Sequence, residues 1–328
     1  MKNSPRLVVW GLGPHAIKNI LPAINALDTL SLYGICSRTE LVVTDCAKRL
    51  ECKSWTNPVQ MLEDPLVDVV YLATPIGLHS THGEMVLEAG KHLWCEKPLT
   101  CNLQDTETLV DLANKNNLSL GEGFMYLTHP QFARVTRFVQ QSEMGNVKSL
   151  NCRFGIPKLE TPGFRNDRSL GGGAFWDVGS YMASAVLALY PDQKVHVQYA
   201  EKLTGSNQAV DNEGRALLRF SGGTTVFLDW FINIGYRNEI DIWAEQGSLY
   251  TEKIFSKAAD HTPIVKIRNL QGVEVIENIE SFDHFKGMFR RFSEMLIDIK
   301  LSSQEKDNIL RRARLLDAIE KKAQQLNF

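Results

Sequence analysis

The chain predicts an α/β protein, with an N-terminal doubly wound parallel sheet followed by a second α/β domain built on a large, mostly antiparallel sheet. Three observations carry that reading. At 328 residues the chain exceeds the roughly 250–300 residues at which a single core stops growing, so two domains are expected. Its first third alternates wholly apolar runs with amphipathic ones, the pattern of β-α-β units whose sheet is covered on both faces. After Gly123 the pattern becomes strand, glycine-containing turn, strand, which marks hairpins. The boundary is placed at that change of sheet type, giving domains 1–123 and 124–328 with no linker between them.

In chain order, apolar runs at 7–10, 30–36, 67–73, 92–95 and 118–121 read as strands, and helical patterns at 17–27, 84–89 and 103–116 alternate with them. In the second domain, "GGGAFWDVGSYMASAVLALY" (171–190) sets a glycine cluster ahead of an apolar helical pattern. Segments 214–232, 239–252 and 263–279 each read as two strands around a glycine turn, and 282–300 and 304–326 as closing helices. The active site is expected where the two domains meet.

Composition narrows the function classes. Lys and Arg number 36 against 38 Asp and Glu, a net charge of -2, which lacks the basic face that a nucleic-acid partner needs. No stretch approaches the ~18 apolar residues of a spanning helix, and the apolar run before Gly11 is too short for a signal segment, so no membrane partner and a cytoplasmic location are expected. Six cysteines without a C-x-x-C spacing read as reduced, buried thiols.

"VVWGLGPHAIKNI" gives G-x-G-x-x-A (Gly11, Gly13, Ala16) directly after a strand and opening a helix. The first glycine permits a tight turn, the second lets a pyrophosphate approach the backbone, and the small third residue lets helix and strand pack. Gly11, Leu12, Gly13, Pro14 and His15 are therefore taken to bind the cofactor, with Pro14 suited to a first helical turn. The second strand ends in "GICSRTE", where an NAD enzyme usually carries an acidic residue for the ribose hydroxyls. Ser37, Arg38 and Thr39 stand there instead, which suits a 2'-phosphate and makes NADP the preferred cofactor, with NAD possible. The competing reading of Arg38 is a solvated surface charge.

Ligands of doubly wound sheets sit beyond the carboxyl ends of the strands, and "ATPIGLHSTH" (73–82) and "CEKPLT" (95–100) are two such ends. Pro75 and Pro98 hold the preceding residue away from helix, which directs Lys97 into the cleft. His79 and His82 are three apart, but a catalytic metal needs about three protein ligands and no third is in evidence, so no metal is expected. Asp177 and Tyr181 are four apart and share a face of the helix they open.

The motifs "GLGPHA", "TPIGLH", "EKPLT" and "GGGAFWDVGSY", in this order between residues 11 and 181, resemble the glucose-fructose oxidoreductase and inositol dehydrogenase family. The resemblance is to the end of it that includes xylose dehydrogenases, dihydrodiol dehydrogenases and nucleotide-sugar ketoreductases. It implies a nicotinamide-binding Rossmann domain and a second domain whose sheet often joins subunits, hence a homodimer or homotetramer. It implies that Lys97 lies beside the nicotinamide and bonds the reacting oxygen, with Thr74, Pro75, His79 and Glu96 on the cofactor side. On this reading Tyr181 is the general acid and base, its phenol tuned by the Lys97 ammonium, and Asp177 binds a substrate hydroxyl or fixes Lys97. Tyr126, Arg165 and Trp176 complete the expected substrate site. One departure stands out: "FMYLTHP" (124–130) has Leu127 where the branch usually has arginine. The implied activity is NADP-dependent hydride transfer between nicotinamide and a sugar or polyol, with a nucleotide-linked keto sugar as one attractive substrate. A free aldose or a trans-dihydrodiol is the alternative substrate, and a non-catalytic sugar sensor the alternative from another class.

Overall fold

The five apolar runs of the first third become strands of one parallel sheet, joined by a sixth at its edge. The structure, a computed structural model, describes residues 4–205 and 209–327. β1 (Arg6–Trp10), β2 (Ser31–Cys36), β3 (Lys53–Trp55), β4 (Val69–Leu72), β5 (His92–Cys95) and β6 (Leu120–Glu122) lie in the order β3-β2-β1-β4-β5-β6. Every pairing among them is parallel. The order reverses between β1 and β4, the switch point at which doubly wound sheets bind ligands. Val8, Val70, Leu72, Leu93 and Leu120 of these strands are fully buried, as runs without polar alternation require. The edge strand β3 is short and polar, and it carries no apolar run that would announce it.

The chain divides into two compact units, residues up to 124 with 285–310, and 125–284 with the residues from 311 on. Segment 285–310 thus groups with the parallel sheet, although the sequence reading places it in the second domain. The cause is aromatic: the helix His284–Met295 brings Phe289 to 5.1 Å from the Tyr71 ring and Phe292 to 5.0 Å from Trp94. Those contacts bury large apolar surface that the last strands would otherwise expose.

In the second unit β7 (Val147–Ile156), β8 (Val195–Thr204), β9 (Glu213–Phe220), β10 (Thr225–Ile232), β11 (Arg237–Ala244), β12 (Gly247–Glu252), β13 (Ile264–Asn269), β14 (Glu274–Asn278) and β15 (Ala323–Asn327) form one sheet. Its order is β14-β13-β12-β11-β7-β10-β9-β8-β15, antiparallel except where β7 meets β10 and β8 meets β15. The three glycine turns close the hairpins β9/β10, β11/β12 and β13/β14. Along β10, Val226, Leu228, Trp230 and Ile232 are buried while Phe227 faces out, the alternation of a sheet with one covered face. The closing helix ends at Lys322, four residues earlier than its pattern suggests, because Ala323–Asn327 pair with β8. All six cysteines are free thiols, four of them buried. Among the described residues no helix is long and apolar enough to cross a membrane.

Candidate active site

The turn after β1 has the geometry its glycines foretell. The Gly11 N–H donates to the Cys36 carbonyl at 2.9 Å, and Gly11 sits at φ 112°, in the left-handed region. A Cβ there would lie 2.5 Å from the Ala73 carbonyl oxygen, so only glycine fits. At Gly13 an added Cβ would meet nothing within 4 Å, so that side of the turn is open to a pyrophosphate. Pro14 and His15 then begin the helix, whose first N–H groups have no intrahelical partner. It widens to a π turn at Ala16–Ile20 ahead of Pro22, which lacks the N–H an α turn would use. Beyond β2, Arg38 is exposed and the Thr39 N–H turns back to the Ser37 hydroxyl at 3.4 Å. These residues fit a dinucleotide, with Arg38 and the two hydroxyls suited to a 2'-phosphate.

At the ends of β4 and β5 a buried network replaces the metal pair that two histidines could suggest. His79 is fully buried, with Nδ1 3.0 Å from the Pro98 carbonyl and Nε2 2.8 Å from the Thr74 carbonyl, so it ties the two strand ends together. Burial holds its ring below the usual histidine range despite those carbonyls. His82 stacks on Trp10 at 4.2 Å and bonds Thr74 Oγ1 at 3.3 Å; burial brings its pKa down to about 4. Among the described residues no three or more His, Cys, Asp or Glu side chains are arranged to hold a metal.

Glu96 accepts a hydrogen bond from the Tyr71 hydroxyl at 2.6 Å and pairs with His15 Nε2 at 3.1 Å, which joins the dinucleotide turn to the strand end that carries Lys97. Lys97 is nine-tenths buried, and its peptide to Pro98 is cis. The turn is closed by the Leu99 N–H, which donates to Glu122 at 2.7 Å. Tyr71 and Glu122 were not singled out from sequence. A tyrosine inside the apolar strand "VVYL" is itself a signal, since a buried phenol needs a partner.

In the second unit the glycine cluster folds the loop 163–173 against the segment that follows. Gly173 N–H donates to the Arg165 carbonyl at 2.9 Å, and a Cβ on Gly172 would lie 2.5 Å from that same oxygen. Arg165 Nε in turn donates to Asp177 Oδ2 at 2.5 Å. Asp177 lies in a π turn, Phe175–Gly179, rather than the α turn its four-residue spacing to Tyr181 assumes. The start of this turn is held by Asp211, whose carboxylate accepts the Phe175 N–H at 2.8 Å and whose carbonyl accepts the Ala174 N–H at 2.9 Å. Burial pushes the Asp211 carboxyl up, with Lys202 opposing. Asp211 lies in a loop between strands, where nothing in the sequence marks it as a partner of residue 175.

Tyr181, on the helix Ser180–Leu189, is largely buried among Phe154, Tyr126 and Phe255, and its hydroxyl points to Met125 Sδ at 3.7 Å. Tyr126, expected at the substrate, is fully buried, and its hydroxyl meets the Tyr181 carbonyl at 3.2 Å and Ser184 Oγ at 2.5 Å. It supports the helix that bears Tyr181. Trp176 is half-buried, its ring 4.8 Å from Phe175.

Comparison with known proteins now decides the family. The model described as "Oxidoreductase family, NAD-binding Rossmann fold" matches residues 6–124, and the "GFO/IDH/MocA C-terminal domain" matches 132–250. A dTDP-3,4-didehydro-2,6-dideoxy-alpha-D-glucose 3-reductase of Saccharopolyspora spinosa is 32% identical over 269 residues, 81% of this chain and 80% of that one. The chain belongs to the GFO/IDH/MocA oxidoreductase family. Within it, the chain is also similar to a D-xylose 1-dehydrogenase (NADP+) of Haloferax volcanii, 25% identical with 96% of each chain covered. A solved structure of a 3-ketoreductase from Actinomadura kijaniata, in complex with TDP-benzene and NADP, superposes with a TM-score of 0.94 at 28% identity, covering 99% of this chain and 100% of that one. Structures of that ketoreductase include variants in which a lysine or a tyrosine is replaced, and those two residues stand 84 positions apart.

Proposed function

We propose that this GFO/IDH/MocA oxidoreductase is an NADPH-dependent ketoreductase acting on a keto sugar carried by a nucleoside diphosphate. The observation that carries the reading is the full-length likeness to a 3-ketoreductase solved with NADP and TDP-benzene, together with Lys97 and Tyr181, separated by the same 84 positions as that enzyme's substituted lysine and tyrosine. The exposed Arg38 in place of an acidic residue supports NADPH over NADH.

Bound NADPH supplies a hydride to the carbonyl carbon. The chain's own groups manage the oxygen. The Lys97 ammonium hydrogen-bonds the carbonyl oxygen and stabilises the negative charge that grows on it. The Tyr181 hydroxyl gives that oxygen its proton and recovers one from solvent, so that ketone, hydride and proton sum to the alcohol. Asp177, held by Arg165, has the role of accepting from a sugar hydroxyl on this reading. Buried reduced thiols fit a reducing compartment, which supports a cytoplasmic enzyme, and the exposed Tyr199, Phe227 and Trp243 of the nine-stranded sheet support a homo-oligomer.

The test is Tyr181→Phe assayed against keto sugars, free and nucleotide-linked, with NADPH binding followed by fluorescence. Turnover falls by ~10²–10⁴-fold while NADPH affinity stays within twofold. Unchanged turnover would remove Tyr181 as the acid, and cofactor binding without turnover of any candidate would favour a sensor.

A further inference from the structure

The loop 253–263, between β12 and β13, carries Lys253, Lys257 and His261, and the chemistry above uses none of them. The loop is tied down at several points. The Thr251 hydroxyl donates to the Ile264 carbonyl at 2.7 Å, which closes the base. Gln131 Nε2, from the helix Pro130–Gln140, donates to Thr251 Oγ1 at 2.6 Å and to the Glu252 carbonyl at 2.9 Å. Ile254 and Phe255 are fully buried, and Asn238 of β11 accepts the Phe255 N–H at 2.8 Å and donates to the Ser256 carbonyl at 3.0 Å. Side chains on a loop held this way lose less freedom when they take a ligand.

The three basic side chains are half-buried, and among the described residues none of them forms an ion pair. Lys257 gives one N–H to the Ile254 carbonyl at 3.0 Å, and burial brings its ammonium down to about 7. Lysines are rarely buried without an anion beside them. Burial also lowers His261, and the charges of Lys253 and Lys257 lower it further, against the exposed carboxylates Glu252 and Asp260. His129, at the start of the helix Pro130–Gln140, belongs to the same cluster. Burial brings its ring down to about 4, with Lys257 and His261 adding to the effect, and Phe282 and His284 pack against it at 5.7 and 6.1 Å. Its Nδ1 accepts the Gln131 N–H at 3.0 Å, so the neutral ring carries its proton on Nε2. That N–H is fully buried and has no acceptor among the described residues, a costly state for a donor. Like charges and an unanswered donor gathered in one place repel or go unpaired until an anion joins them.

We infer that the loop 253–263 and His129 form a binding site for a free tetrahedral oxyanion of the phosphate class, with His129 Nε2 and Lys257 on its inner oxygens and Lys253 and His261 on its outer ones. Several N–H donors suit an ion with four oxygens better than they suit a neutral ligand. The inference does not rest on the keto-sugar reading, and it uses none of the residues assigned to hydride transfer.

The probe is inorganic phosphate, titrated calorimetrically into the NADP-loaded protein so that the cofactor's own phosphate contacts are already filled. Saturable binding is expected. Lys257→Met keeps the stem and removes the charge, His261→Gln removes the imidazole, and His129→Asn keeps a capping acceptor for Gln131 while deleting the Nε2–H. Each weakens phosphate by about tenfold or more, as loss of a charge-assisted bond does, with NADPH affinity unchanged. Sulfate, which does not titrate near neutrality, serves for the pH series. An anion raises the pKa of the ammonium it touches, so sulfate binding takes up a proton and weakens as pH rises through about 7. Lys257→Met loses that dependence. No phosphate binding at ~10 mM, or binding by all three variants as tight as wild type's, overturns the inference. Displacement of phosphate by dTDP would make the loop part of the substrate site and overturn it too, and chloride binding as tight as phosphate's would remove the oxyanion assignment.

Discussion

Glu96 shows how neighbours settle the state of a single group. Burial alone would push its carboxyl up, yet the charge and hydrogen bond of His15, the Tyr71 hydroxyl and the Lys97 ammonium outweigh that and hold it below the usual carboxylate range. An ionised Glu96 puts a counter-charge beside Lys97. Single positions were unevenly legible in the sequence. Gly11 and Gly13 could be read because a tight turn demands glycine at that spacing, and Lys97 is singled out only by the resemblance, whereas Tyr71, Glu122 and Asp211 act through partners 25, 23 and 36 positions away. Arg38 is the residue whose role can be measured most directly. Arg38→Gln deletes the charged donors a 2'-phosphate would need, interactions worth about 1.5–3 kcal/mol when charge-assisted. The expected result is a KM for NADPH raised ~10-fold or more, with NADH use changed by less than about twofold. Equal loss with both cofactors would return Arg38 to an ordinary surface charge.

The element that bears Asp177 and Tyr181 depends on a capping carboxylate from outside itself. Asp211 receives the Phe175 N–H where the π turn begins, and Gly173, at φ 116°, passes so close that a Cβ would lie 2.5 Å from Asp211 Oδ1. Asp211→Ala leaves a buried N–H without its acceptor, a loss of about 1–3 kcal/mol. Thermal unfolding shifts down accordingly, and kcat falls with NADPH affinity intact, because the tilt of the following helix sets Tyr181. Asp211→Asn keeps an amide oxygen for the same N–H, so it restores most of kcat; failure of that rescue would mean the charge beside Lys202 matters more than the cap. Elements show the same division of what sequence reveals. The hairpins β9/β10, β11/β12 and β13/β14 are visible because each turn glycine lies between its two strands. β7 is not, since it pairs with β10 and β11 far along the chain, and β15 looks like the last turn of a helix until β8 offers it a ladder.

For the molecule as a whole, the outer face of the nine-stranded sheet is the surface left to explain. Across it runs a row of directly opposed residues, Glu201, Arg215, Asp229, Arg153 and Glu239, alternating in sign over five neighbouring strands. Beside it Tyr199, Leu217 and Phe227 form an apolar row, and Trp243 is 70% exposed. A broad face that combines exposed aromatics with ion pairs at fixed register is what a subunit contact needs, apolar area for affinity and paired charges for alignment. A row that alternates in sign can also meet a second copy of itself about a two-fold axis, each charge opposite its complement after a shift of one strand. The proposed homo-oligomer therefore makes a definite prediction. At micromolar concentration, sedimentation velocity gives a dimer or tetramer for the wild type, and Trp243→Glu with Phe227→Lys shifts it toward monomer while NADPH binding persists, because both side chains point away from the core. Arg153→Glu places three acids side by side in the row and weakens association further, since like charges directly opposed on a sheet repel. A monomeric wild type, or variants that sediment like it, would leave this face to solvent and remove the sheet as the contact between subunits.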